Sequence, residues 1–212
     1  MKRKVVVALY VAVLLLVFGQ TGFAQEAGKL GIGARVSYVN YSGDDFINEH
    51  DERVNIDFDE FAMYGLNVTY FFHKYFSTEL SVDYAKTDLW VSGTFRGVAT
   101  NEIEGEFTQI PVLLTGRLHI PVNNIVSPHV GAGVGYYFND YDPTAAADKV
   151  TVDDSFGFHV NAGVEFFFAE NYAVNLDLKY VWNDVDFPDP EDQTQEISMD
   201  AFVAGIGFKY YF

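Results

Sequence analysis

The sequence predicts an all-β fold: an eight-stranded antiparallel transmembrane β-barrel with short turns at one end and long loops at the other. Three observations carry this. Apolar and polar residues alternate with period two through eight long runs, the pattern of strands with one face in an apolar medium. The connections between runs are alternately short and long. Aromatic residues gather on the apolar face beside the short connections, as in the interfacial girdle of an outer-membrane barrel.

The N-terminus is a separate object. "MKRK" is basic, "VVVALYVAVLLLVFG" is apolar, and Gly22 to Ala24 places small residues before Gln25. This is the three-part pattern of a secretory signal peptide, with cleavage expected near Ala24-Gln25. Residues 1–24 are therefore assigned to the signal and 25–212 to the barrel. The apolar run is short for a membrane helix, which needs about 20 residues. No later run is apolar enough to form one.

The eight runs follow in order. The first carries Leu30, Ile32, Ala34, Val36 and Tyr38 on its apolar face. The second runs from Ala62 to Phe72, the third from Phe76 to Tyr84 and the fourth from Ile110 to Ile120, each apolar at even positions. The fifth spans Val130 to Phe138, the sixth Phe156 to Phe168, the seventh Tyr172 to Trp182 and the eighth Phe202 to Phe212. Short turns are expected near 73–75, 121–127 and 169–171. Long loops are expected near 42–60, 88–106, 139–154 and 184–197.

A soluble β-sandwich or lipocalin-like barrel also alternates, but its apolar face turns inward. Here the polar face carries Arg35, Glu79, Asp83, Arg117, Glu165, Asp177, Lys179 and Lys209. Four are basic and four acidic, so they can pair inside a small filled barrel. The apolar face places Tyr70, Phe72 and Phe76 beside one turn, Phe166, Phe168 and Tyr172 beside another, and Tyr210 and Phe212 at the terminus.

Composition excludes other classes. The chain of 212 residues has no Cys, which removes disulfides and thiolate metal sites. Its net charge is −17. Without Lys2, Arg3 and Lys4, 10 basic residues remain against 30 acidic ones, a balance near −20. That argues against nucleic acid, which is bound by basic patches. Eight strands leave little bore for an ion channel. No cofactor is indicated. No EF-hand spacing appears, and His50, His73 and His129 fall in expected loops or turns without forming a metal cluster.

Several stretches resemble the outer membrane protein W (OmpW) family. "SPHVGAGVGYYFND", residues 127–140, contains that family's P-x-V-G-A-G-V/I-x-Y core. Residues 153–187, "DDSFGFHVNAGVEFFFAENYAVNLDLKYVWNDVDF", follow the same order of features. "GLNVTYFFHKYFSTELSVDY" and "QIPVLLTGRLHIP" fit its second to fourth strands. The resemblance covers most of the mature chain and is weak in the long loops. It implies passage of small hydrophobic molecules across the outer membrane of a Gram-negative bacterium, from an apolar outer-side pocket and out sideways into the bilayer. It also implies that the Phe212 strand is the signal read by the barrel assembly machinery. Outer-membrane lipid and lipopolysaccharide are the expected surroundings, and the barrel is expected to be monomeric.

The inward, odd-numbered positions sort by height. Val39, Phe61, Met63, Leu89, Phe107, Tyr137, Val181 and Met199 fall near the outer ends and form the expected substrate pocket, since apolar ligands prefer concave apolar walls. Arg35, Glu79, Asp83, Arg117, Glu165, Asp177 and Lys209 fall lower and form the expected plug. Pro111 lies inside the fourth strand. It cannot donate to a ladder, so pairing with the third strand should weaken there. The resemblance places a lateral opening at this proline. An alternative is a structural or interaction barrel, adhesin-like, acting through acidic loops that include Asp44, Asp45, Glu49, Asp51 and Glu52. Those carboxylates could also bridge to lipopolysaccharide through divalent cations.

No enzyme is expected. A lipid A deacylase would need a His-x-Ser pair, but His159 is followed by Val160 and Asn161. His119 and Ser81 could meet on neighbouring strands inside the barrel as base and nucleophile, but a lumenal position suits a structural network better.

Overall fold

The structure is a computed structural model. It describes residues 27–41, 44–47, 53–58, 61–95, 98–143, 153–187 and 195–212, with side chains for 27–41, 62–88, 105–142, 153–185 and 198–212. The signal segment 1–24 and its cleavage point lie outside the described residues.

Eight long strands form the wall: β1 (Leu30–Tyr41), β4 (Phe61–His73), β5 (Phe76–Phe95), β6 (Val98–His119), β7 (Val126–Pro143), β8 (Ser155–Ala169), β9 (Tyr172–Phe187) and β11 (Ala201–Tyr211). Three short ones, β2 (Asp44–Ile47), β3 (Arg53–Phe58) and β10 (Gln195–Ser198), sit at the long-loop end. Every pairing is antiparallel. β1 pairs with both β4 and β11, and β5 pairs with both β4 and β6, so the sheet closes on itself. Closure leaves no wall strand as a free edge, which a lipid medium demands.

Burial follows the alternation. In β8 the pattern from Ser155 to His159 is buried, exposed, buried, exposed, buried. The exposed large apolar side chains include Leu66, Phe72, Leu114, Phe158, Phe168 and Phe208, all at even positions. They form the lipid face. The odd positions fill the lumen.

The long connections differ from expectation. Residues 88–95 and 98–106, expected to be loop, are strand. β5 has 20 residues and β6 has 22, and they stay paired to Phe95 and Val98. A tilted membrane strand needs about 9–11 residues, so this hairpin continues well beyond the bilayer. The Trp, Val, Thr and Phe of "WVSGTF" favour strand although acidic residues lie nearby. Within 42–60, β2 and β3 make a hairpin whose second arm also pairs with β5. β7 extends to Pro143 and β9 to Phe187, where β10 joins it. The short connections are as expected at 74–75 and 170–171. At the third, Asn123 Oδ1 accepts from the amides of Ile125 and Val126, both at 2.8 Å, which holds the bend.

Candidate functional site: a lumen filled in three layers

The lowest layer is aromatic. Phe71, Phe167, Ala173 and Tyr211 pack together at the short-turn end, and Phe71 and Tyr211 are fully buried. The Tyr211 ring centroid lies 5.7 Å from Phe71 and 5.8 Å from Phe167. The sequence reading expected charge down to the periplasmic end and missed this floor. The signal was present in the consecutive triplets Tyr70-Phe71-Phe72, Phe166-Phe167-Phe168 and Tyr210-Tyr211-Phe212. On alternating strands, each triplet must send one ring inward.

The middle layer is ionic. All seven expected plug residues join one network. Glu79 is its centre: Arg117 Nη2 donates to Oε1 at 2.7 Å, and Lys209 Nζ donates to Oε2 at 2.8 Å. Arg35 Nη1 lies 3.3 Å from Oε1, and Thr69 adds a hydroxyl donor at 3.1 Å. Lys209 also donates to Glu165 at 2.7 Å, and Tyr211 Oη sits 3.0 Å from the same carboxylate oxygen. The Arg35 guanidinium clasps Asp83 with two nitrogens, one from Nε at 2.8 Å. Asp177 takes Asn161 Nδ2 at 2.7 Å, faces His129 Nε2 at 3.1 Å, and lies 3.9 Å from Arg117. Each carboxylate thus has charged or hydrogen-bonding partners, the condition under which buried charge is tolerated.

Two glycines make room for this layer. A Cβ at Gly65 would fall 1.8 Å from Asp83 Oδ1, which the Arg35 clasp holds in place. A Cβ at Gly133 would fall 2.1 Å from the Leu114 carbonyl and 2.7 Å from the His159 ring.

Two histidine assignments are corrected. His129 is not in a turn. It lies in β7, buried, against Asp177. His119 meets Ser77, at 2.8 Å, rather than Ser81, because the β5–β6 register sets Ser77 against Arg117, two residues from His119. Ser81 is held by Arg35 at 2.9 Å. His119 Nδ1 has no hydrogen-bond partner among the described residues, and its ring packs 4.8 Å from Phe71. His159 is bonded to Thr115 at 2.8 Å. Among the described residues, no cluster of three His, Cys, Asp or Glu side chains is arranged to hold a metal ion.

The upper layer is apolar. Val39, Met63, Tyr137 and Val181 pack with Ala85, Leu113, Ala201 and Val203. Met199 and Phe107 are also buried. The side chains of Phe61 and Leu89 lie outside the described residues. The space left is small: about 20 Å³, bordered by Val39, Met63, Pro111, Tyr137, Val181 and Met199 among others. That is room for about one water, so the chamber is packed rather than an open pocket.

Pro111 is buried and borders that space. The β5–β6 ladder pairs Val82 with Val112 and Ala85 with Gln109, with no rung between. The two absent rungs, Asp83 opposite Pro111 and Tyr84 opposite Ile110, are those that need an N–H at position 111 facing the Asp83 carbonyl. Proline has none. Pairing to β7 continues, Pro111 against Tyr137. The interruption is local, and the wall is paired on both sides of it.

An apolar outer face, a closed antiparallel wall and a filled polar lumen define a transmembrane β-barrel. Residues 10–212 match the family described as "Outer membrane protein beta-barrel domain", and the chain belongs to that family. It is an outer-membrane protein. It is 28% identical over 120 residues to an outer membrane protein of Rickettsia bellii, across 54% of this chain and 47% of that one. The chain thus spans about half the length of that curated relative. Among solved structures, it is similar to OprG from Pseudomonas aeruginosa, with a TM-score of 0.67, 19% identity, and 88% and 97% of the two chains covered. It is similar to AlkL, with a TM-score of 0.64, 18% identity, and 92% and 94% covered. Similarity to OmpW of E. coli has a TM-score of 0.52 at 19% identity, over 88% and 99% of the chains. These structures share its fold, and the OmpW resemblance read from the sequence stands at that level.

Proposed function

We propose that the protein passes small hydrophobic molecules across the outer membrane. A molecule enters the apolar upper layer from outside. The ionic layer and aromatic floor deny it a straight path, and it leaves sideways into the bilayer at Pro111. The observation that carries this reading is a juxtaposition: the residue that removes a rung from the β5–β6 wall also borders the apolar chamber. Passage requires the chamber to loosen. Met63 and Met199, unbranched and adaptable, are the side chains best suited to give way.

The test compares uptake of a small apolar compound by cells lacking the protein, cells expressing it, and cells expressing Pro111→Ala at equal surface level. Expression is expected to speed uptake and Pro111→Ala to remove the gain. Unchanged uptake across several apolar compounds would discard transport.

The packed chamber favours a second reading, an interaction barrel. There the acidic outer segments, Asp44 and Asp45 among them, would engage lipopolysaccharide through divalent cations or bind another partner. Cation-dependent binding to lipopolysaccharide, with no change in uptake, is its signature. In either reading the terminal Phe212 strand is the proposed contact for the barrel assembly machinery.

A further inference from the structure

Arg35, Arg117, Lys179 and Lys209 face four carboxylates in the lumen, but one of these four cations stands outside the network. Arg35, Arg117 and Lys209 each contact carboxylates within 3.3 Å. Lys179 on β9 is 4% exposed, yet no carboxylate among the described residues lies within 4.0 Å of its ammonium. It borders the small apolar cavity of the upper layer and forms part of its boundary with the ionic layer. A second unsatisfied group borders the same cavity. The Tyr137 hydroxyl, on a side chain 3% exposed, has no hydrogen-bond partner among the described residues.

Both features cost stability. A buried ammonium without a counterion and a buried hydroxyl without an acceptor each carry an uncompensated desolvation penalty. Their shared property is that both can donate. Together they present a cation and a neutral O–H donor at the edge of a chamber lined by Val39, Met63, Val181 and Met199 and by Tyr41, Gln109 and Asn183, whose polar groups are already hydrogen-bonded. A carboxylate accepts from both, and it draws its strongest hydrogen bonds from charged donors. An apolar chain attached to it would lie against the aliphatic and thioether side chains.

We propose that the upper chamber is a site for an apolar molecule ending in a carboxylate, with the head held by Lys179 and Tyr137 and the hydrocarbon tail in the apolar layer. This rests on the transport reading and narrows it to a substrate class. The acidic partners nearest the site do not compete: Asp83 is clasped by Arg35, and Asp177 is bonded to Asn161 and His129.

The test measures uptake of decanoate and of decanol by cells lacking the protein and by cells expressing wild type, Lys179→Gln, Lys179→Arg or Tyr137→Phe at equal surface level. Wild type is expected to favour decanoate. Lys179→Gln should lower that preference about tenfold, the effect of about 1.4 kcal/mol, and leave decanol uptake within about twofold. Lys179→Arg should retain the preference, and Tyr137→Phe should weaken it. Urea unfolding of the purified variants gives an independent readout. If the lysine were kept for structure, Lys179→Gln would lower the midpoint. Relief of an unpaired buried charge is expected to raise it or leave it unchanged. Wild type that carries decanol but shows no preference for decanoate overturns the carboxylate site alone, as does Lys179→Gln with the preference intact. Wild type that carries neither compound overturns the transport reading as well.

Discussion

Lys209 reaches Glu79 across the lumen. Its ammonium on β11 lies 2.8 Å from Oε2 on β5, although β1 and β4 separate the two strands along the wall. A contact that spans the barrel ties wall segments that hydrogen bonding alone does not join. Glu79 also holds Arg117, on the adjacent strand β6.

Glu79→Gln is therefore expected to destabilise the barrel by about 3–5 kcal/mol, the cost of leaving buried charges without their partner. The measurement is the urea unfolding midpoint in lipid. A change below about 1 kcal/mol would mean that the cations re-pair with Glu165 and Asp177 and that no single carboxylate is central.

Gly133→Ala and Gly116→Ala form a matched pair. At Gly133 the added methyl meets backbone at 2.1 Å, whereas at Gly116, on the lipid face, its nearest neighbour is 3.9 Å away. The first should cost about 1–3 kcal/mol through overpacking. The second should be neutral or stabilise by up to about 1 kcal/mol. Equal effects from the two would contradict the lumenal packing.

Tyr211→Phe removes a hydroxyl 3.0 and 3.1 Å from the two Glu165 oxygens and leaves the ring in the floor. A hydrogen bond to a charged group is worth about 1.5–3 kcal/mol, and a loss in that range is expected. Planar-bilayer conductance is expected to be absent in wild type and in this variant alike, because the ring closes the end in both. Ion leakage would show that the hydroxyl, not the packing, seals it.

Pro111→Ala restores a donor facing the Asp83 carbonyl. The introduced amide should become protected from hydrogen exchange as slowly as its neighbours in β6. A rapidly exchanging amide at 111 would place the cause of the missing rungs elsewhere than the proline.

Much of this fold is legible in the sequence because lipid and lumen impose opposite chemistry on successive residues. Even positions such as Leu66, Leu114 and Phe208 declare the outside, and the charged odd positions declare the inside. What alternation does not give is height. Ser77 and Ser81 both point inward, and only the stagger between β5 and β6 decides which one meets His119. The strand extensions at 88–95 and 98–106 are hard to read because acidic residues are common in loops as well as in strands that leave the bilayer. The plug was readable as seven charges needing partners. The isolation of Lys179 was not, because it depends on distances between side chains of non-neighbouring strands. The fullness of the upper chamber likewise depends on how far Met63, Tyr137 and Met199 reach, which the order of residues does not record.

The aromatic triplets carry one more consequence. Where three rings follow one another, as in Tyr210-Tyr211-Phe212, sliding the strand by one residue still leaves rings on both faces. Those ends are blind to misalignment. Lys209 is not: a slip of one would turn its ammonium toward lipid tails and strip Glu79 and Glu165 of a partner. Since β11 is the strand that meets β1, with Tyr211 opposite Gly31, the buried ion pairs act as a key in a lock, admitting a single alignment when the two ends of the wall join.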